Sequence, residues 1–224
     1  PSIRMDDSTN LKTSLSGDFL EDPDTPVDWL TDEIEPIMTI DGVDYPLGVY
    51  LPATVTPTKN EYLKFVRLEA YDRCWRVQDT YTEINVYLRA GENYMTCIKG
   101  LLAVCGITII IETPTDAVLA EAREDWEIGT SYLDIINQLL SEINYNPLWF
   151  NSMGAAVLEP VSVPTAENIE HTLDNTDIKS LLVPEIAIET DIYNAPNVFI
   201  CVCSNPDKSG PMVATSVNNN PQSP

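Results

Sequence analysis

Apolar and polar positions alternate through the first part of the chain, up to about residue 90. Within DWLTDEIEPIMTIDGVDYPLGVYLPAT (28–54), Ile37–Ile40 and Val43–Tyr45 flank Asp41-Gly42. Asp-Gly between β-prone residues predicts a hairpin, because a type I′ turn needs positive φ at both central positions. A third strand is expected over Gly48–Leu51. In TKNEYLKFVRLEAYDRCWRVQDTYT (58–82), Phe65, Arg67, Glu69 and Tyr71 oppose Val66, Leu68 and Ala70. Both sets are partly apolar, which predicts a strand covered on both faces. Thr82–Leu88 is expected to add another strand. Several short antiparallel strands of this kind suit a small barrel or sandwich.

The period then changes. Tyr94, Ile98, Leu101, Leu102 and Cys105 fall at helical spacing, followed by Gly106 and a strand-like run, Ile107–Ile111. At one constant offset the pattern returns in Tyr132, Ile136, Leu139, Leu140 and Ile143, with Gly129 standing where Gly91 stood. Ser131 with Asp134 has the form of a capping box for the second helix. Strands are expected over Pro147–Phe150 and Ala156–Glu159, with a turn at Asn151–Gly154. This reads as a duplicated helix-strand unit. The intervening TPTDAVLAEAREDWEIG (113–129) suits either a connecting helix or an extended arm.

From about Val163 the pattern is β again. Ile186, Ile188 and Ile192 alternate, and Asn197–Asn205 is a strong strand, with Val198, Ile200 and Val202 opposing Phe199, Cys201 and Cys203. Apolar residues on both faces predict a central strand. The Pro-, Asn- and Ser-rich tail from Asn205 reads as a loop or as a domain cut short. The start at Pro1-Ser2 and the stop at Pro224 point to a piece of a longer polypeptide.

Charge narrows the function classes. The 224 residues carry 35 acids against 12 bases, a net charge of −23. A polyanionic surface repels phosphates and anionic lipid, so nucleic-acid binding through a basic patch is not expected. No apolar run approaches the roughly 20 residues needed to cross a bilayer, and no signal peptide is visible. Of the five cysteines, Cys74, Cys97, Cys105, Cys201 and Cys203, none forms a CxxC pair. Buried free thiols are the expected reading. Zinc would need closer spacing and more histidine than the single His171.

Catalytic patterns are missing. His171 lies in an acidic stretch, far from any nucleophile elbow, and there is neither a P-loop nor GxGxxG. Asp41-Gly42-Val43-Asp44 lacks the ligand series of a calcium loop. Asp22-Pro23-Asp24 and Asp32-Glu33 suit solvated acids or a weakly held cation. Glu124, Asp125 and Glu127 surround Trp126, which suits sugar contact less well than a Trp anchored at a domain junction. Arg67, Arg73 and Arg76 are expected to pair with acids of this chain or of a neighbouring subunit. No residue is therefore assigned a catalytic, cofactor-binding or metal role, no cofactor is expected, and the chain is read as no enzyme.

The ordered set DWLTDEIEPIMTIDGVDYPLGVYLPAT, RLEAYDRCWRVQDT, EDWEIGTSYLDIINQLLSEINYNPLWFNSMGAAVLEP and ETDIYNAPNVFICVCSNPD resembles a family of minor tail proteins of phages and prophages of Gram-positive hosts. That family is similar to the baseplate-hub, or tail-tip hub, proteins of contractile-tailed phages. The resemblance covers nearly the whole chain, and its specificity comes from the ordered set, since no single string is a catalytic signature. It implies an α+β fold: a β-barrel-like tube domain over 1–90, a duplicated helix-strand middle domain over 91–162, and the start of a second β domain over 163–224, an incomplete second barrel. It implies a homotrimeric ring coaxial with the tail tube, with other tail tube and tail tip proteins as partners. Phage DNA would be only a transient passenger in the lumen, and there would be no membrane partner. The protein would be made in the host cytoplasm and reside in the virion. Family members usually continue past Asn218–Pro224. An anionic lumen wall would let DNA slide without binding. The competing readings are a peptidoglycan-binding module, which calls for an exposed groove lined by Tyr94, Tyr132 and Trp149, and part of a tail-associated wall hydrolase, which calls for convergent carboxylates in a cleft.

Overall fold

The computed structural model describes residues 1–20, 24, 27–59, 64–162, 165, 197–203 and 212–219. The chain divides into two compact units, Pro1–Val163 and Pro164–Pro224.

The first unit opens with an antiparallel sheet. Strands β1 (Ser2–Met5), β2 (Thr13–Leu20), β5 (Tyr50–Lys59) and β6 (Lys64–Asp72) are ordered β1-β2-β6-β5. β1 and β2 lie ahead of the strands expected from the sequence. The third expected strand extends from Tyr50 to Lys59, well past Leu51. β6 differs from the two-faced strand expected of it: Val66, Leu68, Ala70 and Asp72 are buried, whereas Arg67 and Glu69 on the other face are exposed. Two charged side chains on that face keep it wet. Leu15, Tyr50, Leu68 and Ala70 form a small core with Trp29, Ile34 and Val55 packed against it. Among the described residues the sheet does not close into a barrel. Its edge strand β5 carries Pro52 and Pro57, which have no N–H for a further ladder.

The Asp-Gly hairpin forms as expected. Strands β3 (Ile37–Ile40) and β4 (Val43–Pro46) pair antiparallel, and Asp41 and Gly42 take φ of 51° and 79°. The turn chemistry alone fixes this register.

After β6 the chain does not continue as a strand. Asp72 starts a turn into a short helix, α1 (Cys74–Gln78). Thr82–Leu88 is not a strand either. It is tied only at its ends, where Thr82 exchanges backbone bonds with Gly129 and Thr130, and Leu88 with Arg123.

The helices α2 (Tyr94–Val104) and α3 (Tyr132–Glu142) have 11 residues each and begin at the expected positions. Asn93 caps α2, its side chain accepting from the N–H groups of Met95 and Thr96. Ser131 caps α3 by accepting from the Leu133 N–H, and its hydroxyl donates to the Gln78 carbonyl. Gly91 and Gly129 both take positive φ. Both helices end in the same Schellman motif. Gly106 donates to Ala103 and Ile107 to Leu102; Asn144 donates to Ser141 and Tyr145 to Leu140. Ile107 is thereby spent on the helix end, so the strand expected over Ile107–Ile111 begins later, as β7 (Ile110–Glu112).

Strands β8 (Trp149–Phe150) and β9 (Ala156–Leu158) complete a sheet ordered β7-β9-β8, with β9 parallel to β7 and antiparallel to β8. This sheet, the helices and the segment 113–129 enclose the main core, in which Ile98, Leu102, Leu133, Ile135, Ile136, Leu139 and Leu140 are fully buried.

In the second unit, β10 (Val198–Cys203) pairs antiparallel with β11 (Met212–Val217). β10 is the strand expected, but among the described residues it is not central. It has one partner, and Val198, Phe199, Ile200 and Val202 are exposed. A strand, β11, lies within the tail read as either a loop or a domain cut short. The run at Ile186–Ile192 lies outside the described residues.

Candidate functional site

A groove of about 360 Å³ opens against the end of β6. Ile3, Met5, Leu47, Val49, Trp149 and Phe150 supply apolar walls, and Lys12, Thr13 and Asp72 add polar atoms. Asp72 is 2% exposed. It falls there because it continues the inward phase of Val66, Leu68 and Ala70 by one more step. The alternation in the sequence contains this signal. Asp72 Oδ2 accepts from the Thr13 N–H at 3.1 Å and the Thr13 hydroxyl at 2.8 Å, and Oδ1 accepts from the Cys74 N–H at 2.9 Å. Burial pushes its pKa above the ordinary carboxylate value, and these donors offset only part of the shift.

The neighbouring thiol is buried. Burial, and then the adjacent Asp72 charge, holds Cys74 well above the usual cysteine range, and its Sγ lies 3.5 Å from the Leu148 carbonyl. Burial also pushes Cys97 and Cys105 up to about 11 each. Thiols kept protonated in this way are inert. Cys74, Cys97 and Cys105 are buried as expected, but Cys201 is exposed on β10.

Beside the groove lies a clamp. Glu33 accepts from Arg73 Nε at 3.3 Å, from Arg73 Nη2, and from Arg76 Nη2 at 3.1 Å. Arg73 Nη1 donates to the Gly154 carbonyl at 2.6 Å. Gly154 has φ of 71°, and a Cβ there would stand 2.7 Å from Val49 Cγ2, so glycine is required for this approach. Burial raises the pKa of Glu33, but the hydrogen bonds and charges of Arg73 and then Arg76 outweigh it, and the net shift is downward. Arg67 pairs with Asp18 at 2.9 Å. All three arginines thus meet acids of their own chain. At Asp32-Glu33, Glu33 is engaged by the arginines and Asp32 accepts from the Asp28 N–H.

The segment 113–129 is an extended arm, and Arg123 fastens it. Its guanidinium reaches Asp125 at 2.7 Å and Glu142 at 2.7 Å, and it lies 5.1 Å from the Trp126 ring centre. Trp126 is buried and donates to Gln138 at 2.9 Å, and the Tyr94 hydroxyl donates to Glu142. Trp126 is therefore an anchor and offers no exposed face to a sugar. Tyr94, Tyr132 and Trp149 do not share a groove: Tyr132 is buried, Tyr94 packs against the main core, and only Trp149 lines the groove beside Asp72. Asp41-Gly42 is the hairpin turn and Asp44 lies in β4, accepting from the Thr39 hydroxyl at 2.6 Å. Among the described residues no cluster of His, Cys, Asp or Glu could hold a metal, and no helix is long and apolar enough to cross a membrane. His171, Asp22 and Pro23 lie outside the described residues.

This architecture recurs in solved structures. The tail protein from Neisseria meningitidis MC58 matches with a TM-score of 0.58 over 78% of this chain, at 14% identity. The chain shares its fold with part of that tail protein. The prophage MuSo2 43 kDa tail protein from Shewanella oneidensis shares this tail-protein fold, with a TM-score of 0.52 over 73% of this chain at 12% identity. The chain spans about half of each, 52% and 51% of their lengths. No protein-family model matches the chain, and no curated protein does.

Asp72 gives the site a pH signature. A carboxylate whose folded pKa is raised contributes stability that is fully present below its unfolded pKa and lost as pH rises through the folded value. Relative to Asp72→Asn, the wild type will therefore gain stability on acidification through that window. Near neutral pH, Asp72→Asn will cost about 1–2 kcal/mol, because its amide opposes a backbone donor. Urea melts of both proteins across pH check this, and parallel pH curves would refute it.

Proposed function

We propose that this chain is a structural part of a phage tail, placed in a tail-tip hub ring coaxial with the tail tube through which DNA passes. The fold shared with two tail proteins over 78% and 73% of the chain carries this reading. The net charge of −23 suits a wall past which DNA must slide without sticking. A middle domain over 91–162 built from a duplicated helix-strand unit is supported by the equal lengths of α2 and α3, the positive-φ glycines before them and the matching Schellman ends. The flanking domains of this plan are 1–90 and 163–224. The partners in this reading are further copies of the chain, in a trimer, and other tail tube and tip proteins. Its place is the virion, after synthesis in the bacterial cytoplasm. No catalytic role is assigned in this reading: of the acids that line the groove, Asp72 is held by Thr13, Asp7 by Lys12 and Asp6 by Arg4.

Light scattering coupled to size exclusion, at physiological and then high salt, tests the ring. The expected mass is three times the 24.9 kDa of the chain, more complete at high salt, where self-repulsion is screened. A monomer at both salt concentrations counts against a ring held by these residues. Absence of the chain from purified tail particles would reject the tail reading itself.

A further inference from the structure

The β3–β4 hairpin has a face that nothing described in the chain covers. Its cross-strand pairs put Met38, Tyr45, Ile40 and Val43 on one side and Ile37, Pro46, Thr39 and Asp44 on the other. The second side is mixed, with the Thr39–Asp44 hydrogen bond beside Ile37 and Pro46. The first side is wholly apolar, yet Met38, Tyr45, Ile40 and Val43 are 44%, 46%, 49% and 52% exposed. A hairpin that merely needed to be soluble would not carry four apolar side chains on one exposed face.

The hairpin is also held firmly. At its root, Leu47 donates to the Pro36 carbonyl, and Ile34 and Tyr50 exchange both backbone bonds at 2.8 Å. Tyr50, fully buried, donates its hydroxyl to the Leu47 carbonyl. Glu33, just before the hairpin, is gripped by Arg73 and Arg76. The face is therefore presented ready-made, with little ordering cost on binding.

Charge selects the occupant. Asp41 is exposed in the turn at the tip of this face, and the stretch 28–58 that carries the hairpin has six acids and no Lys or Arg. A second copy of this chain is a poor match. It carries −23, and its Lys12, Arg67, Arg73, Arg76, Lys99 and Arg123 are already engaged by acids of their own chain. We propose that the β3–β4 hairpin docks a different tail protein, one that offers an apolar groove flanked by lysine or arginine side chains. This rests on the tail reading given above.

The test is site-specific photocrosslinking. A photoreactive benzoylphenylalanine replaces Met38 in the full protein, expressed in a host that assembles the complete tail, and purified particles are irradiated. The expected product joins position 38 to a different polypeptide, at a peptide with Lys or Arg within a few residues, in a yield that falls as salt rises. Ile40→Asp and Val43→Asp, both on the exposed face, should cut that yield at least tenfold while leaving the melting temperature of the isolated chain unchanged. A cross-link to another copy of this chain or to the chain itself, a partner peptide without basic residues, or no product from particles that contain the protein would overturn the proposal. Particles that lack the protein altogether would defeat the tail reading instead.

Discussion

Replacing Leu140 with alanine will lower the unfolding free energy of the first unit by about 2–5 kcal/mol. Leu140 is 0% exposed and sits in the main core with Leu139, Ile136 and Leu102. Its side chain faces neighbours from several elements, so collapse around the lost atoms is limited and a cavity remains. The backbone adds to its importance, because the Leu140 carbonyl accepts from Tyr145 and closes the end of α3. Alanine keeps that bond and the helix propensity, so the effect isolates packing. Urea unfolding followed by tryptophan fluorescence reads it. A loss below about 1 kcal/mol would mean that α3 does not pack as described, since even small core deletions cost that much.

The second large effect is expected at the clamp. Arg73→Met will cost about 3 kcal/mol, because it strands the partly buried Glu33 carboxylate and the Gly154 carbonyl at once. The cost comes mainly from the groups left behind, so Glu33→Gln in the same chain should recover part of it. Arg76 is the weaker arm, with 39% of its side chain exposed against 19% for Arg73, and Arg76→Met should cost less than half as much. Equal losses from the two single variants, or a fully additive double variant, would contradict this division of roles.

Which parts of the molecule could be read from the residues follows from how local their causes are. The Asp41-Gly42 hairpin and both helices were legible, because a turn, a cap or an amphipathic stripe is specified within a few positions of itself. β2 was not. Its inward face offers only Leu15 and Phe19 as large apolar groups among Thr13 and Gly17, and what makes it a strand is pairing with β6, far along the chain. The helix at Cys74–Gln78 was hidden in the same way, because the alternating strand runs straight into it and the break depends on Asp72 turning inward. β10 shows a further limit. Apolar residues on both faces state that a strand needs cover, but not whether the cover comes from described residues of its own chain. Of the candidate site, the arginine pairing and the Trp126 anchor were visible as chemistry. Asp72 and the Gly154 carbonyl were not, since one required the strand phase to be carried to its end and the other is backbone.

The strand order β7-β9-β8 constrains how the protein can be born. The middle strand, Ala156–Leu158, is the last of the three to leave the ribosome, and β7, made some forty residues earlier, has no partner in its sheet until then. Nascent chains shorter than that will hold α2 and α3 above an unfinished sheet, with Ile110 and Phe150 lacking the neighbour that covers them. Synthesis of this unit is therefore a waiting period that ends at one strand, and any pause or truncation before Leu158 falls within it.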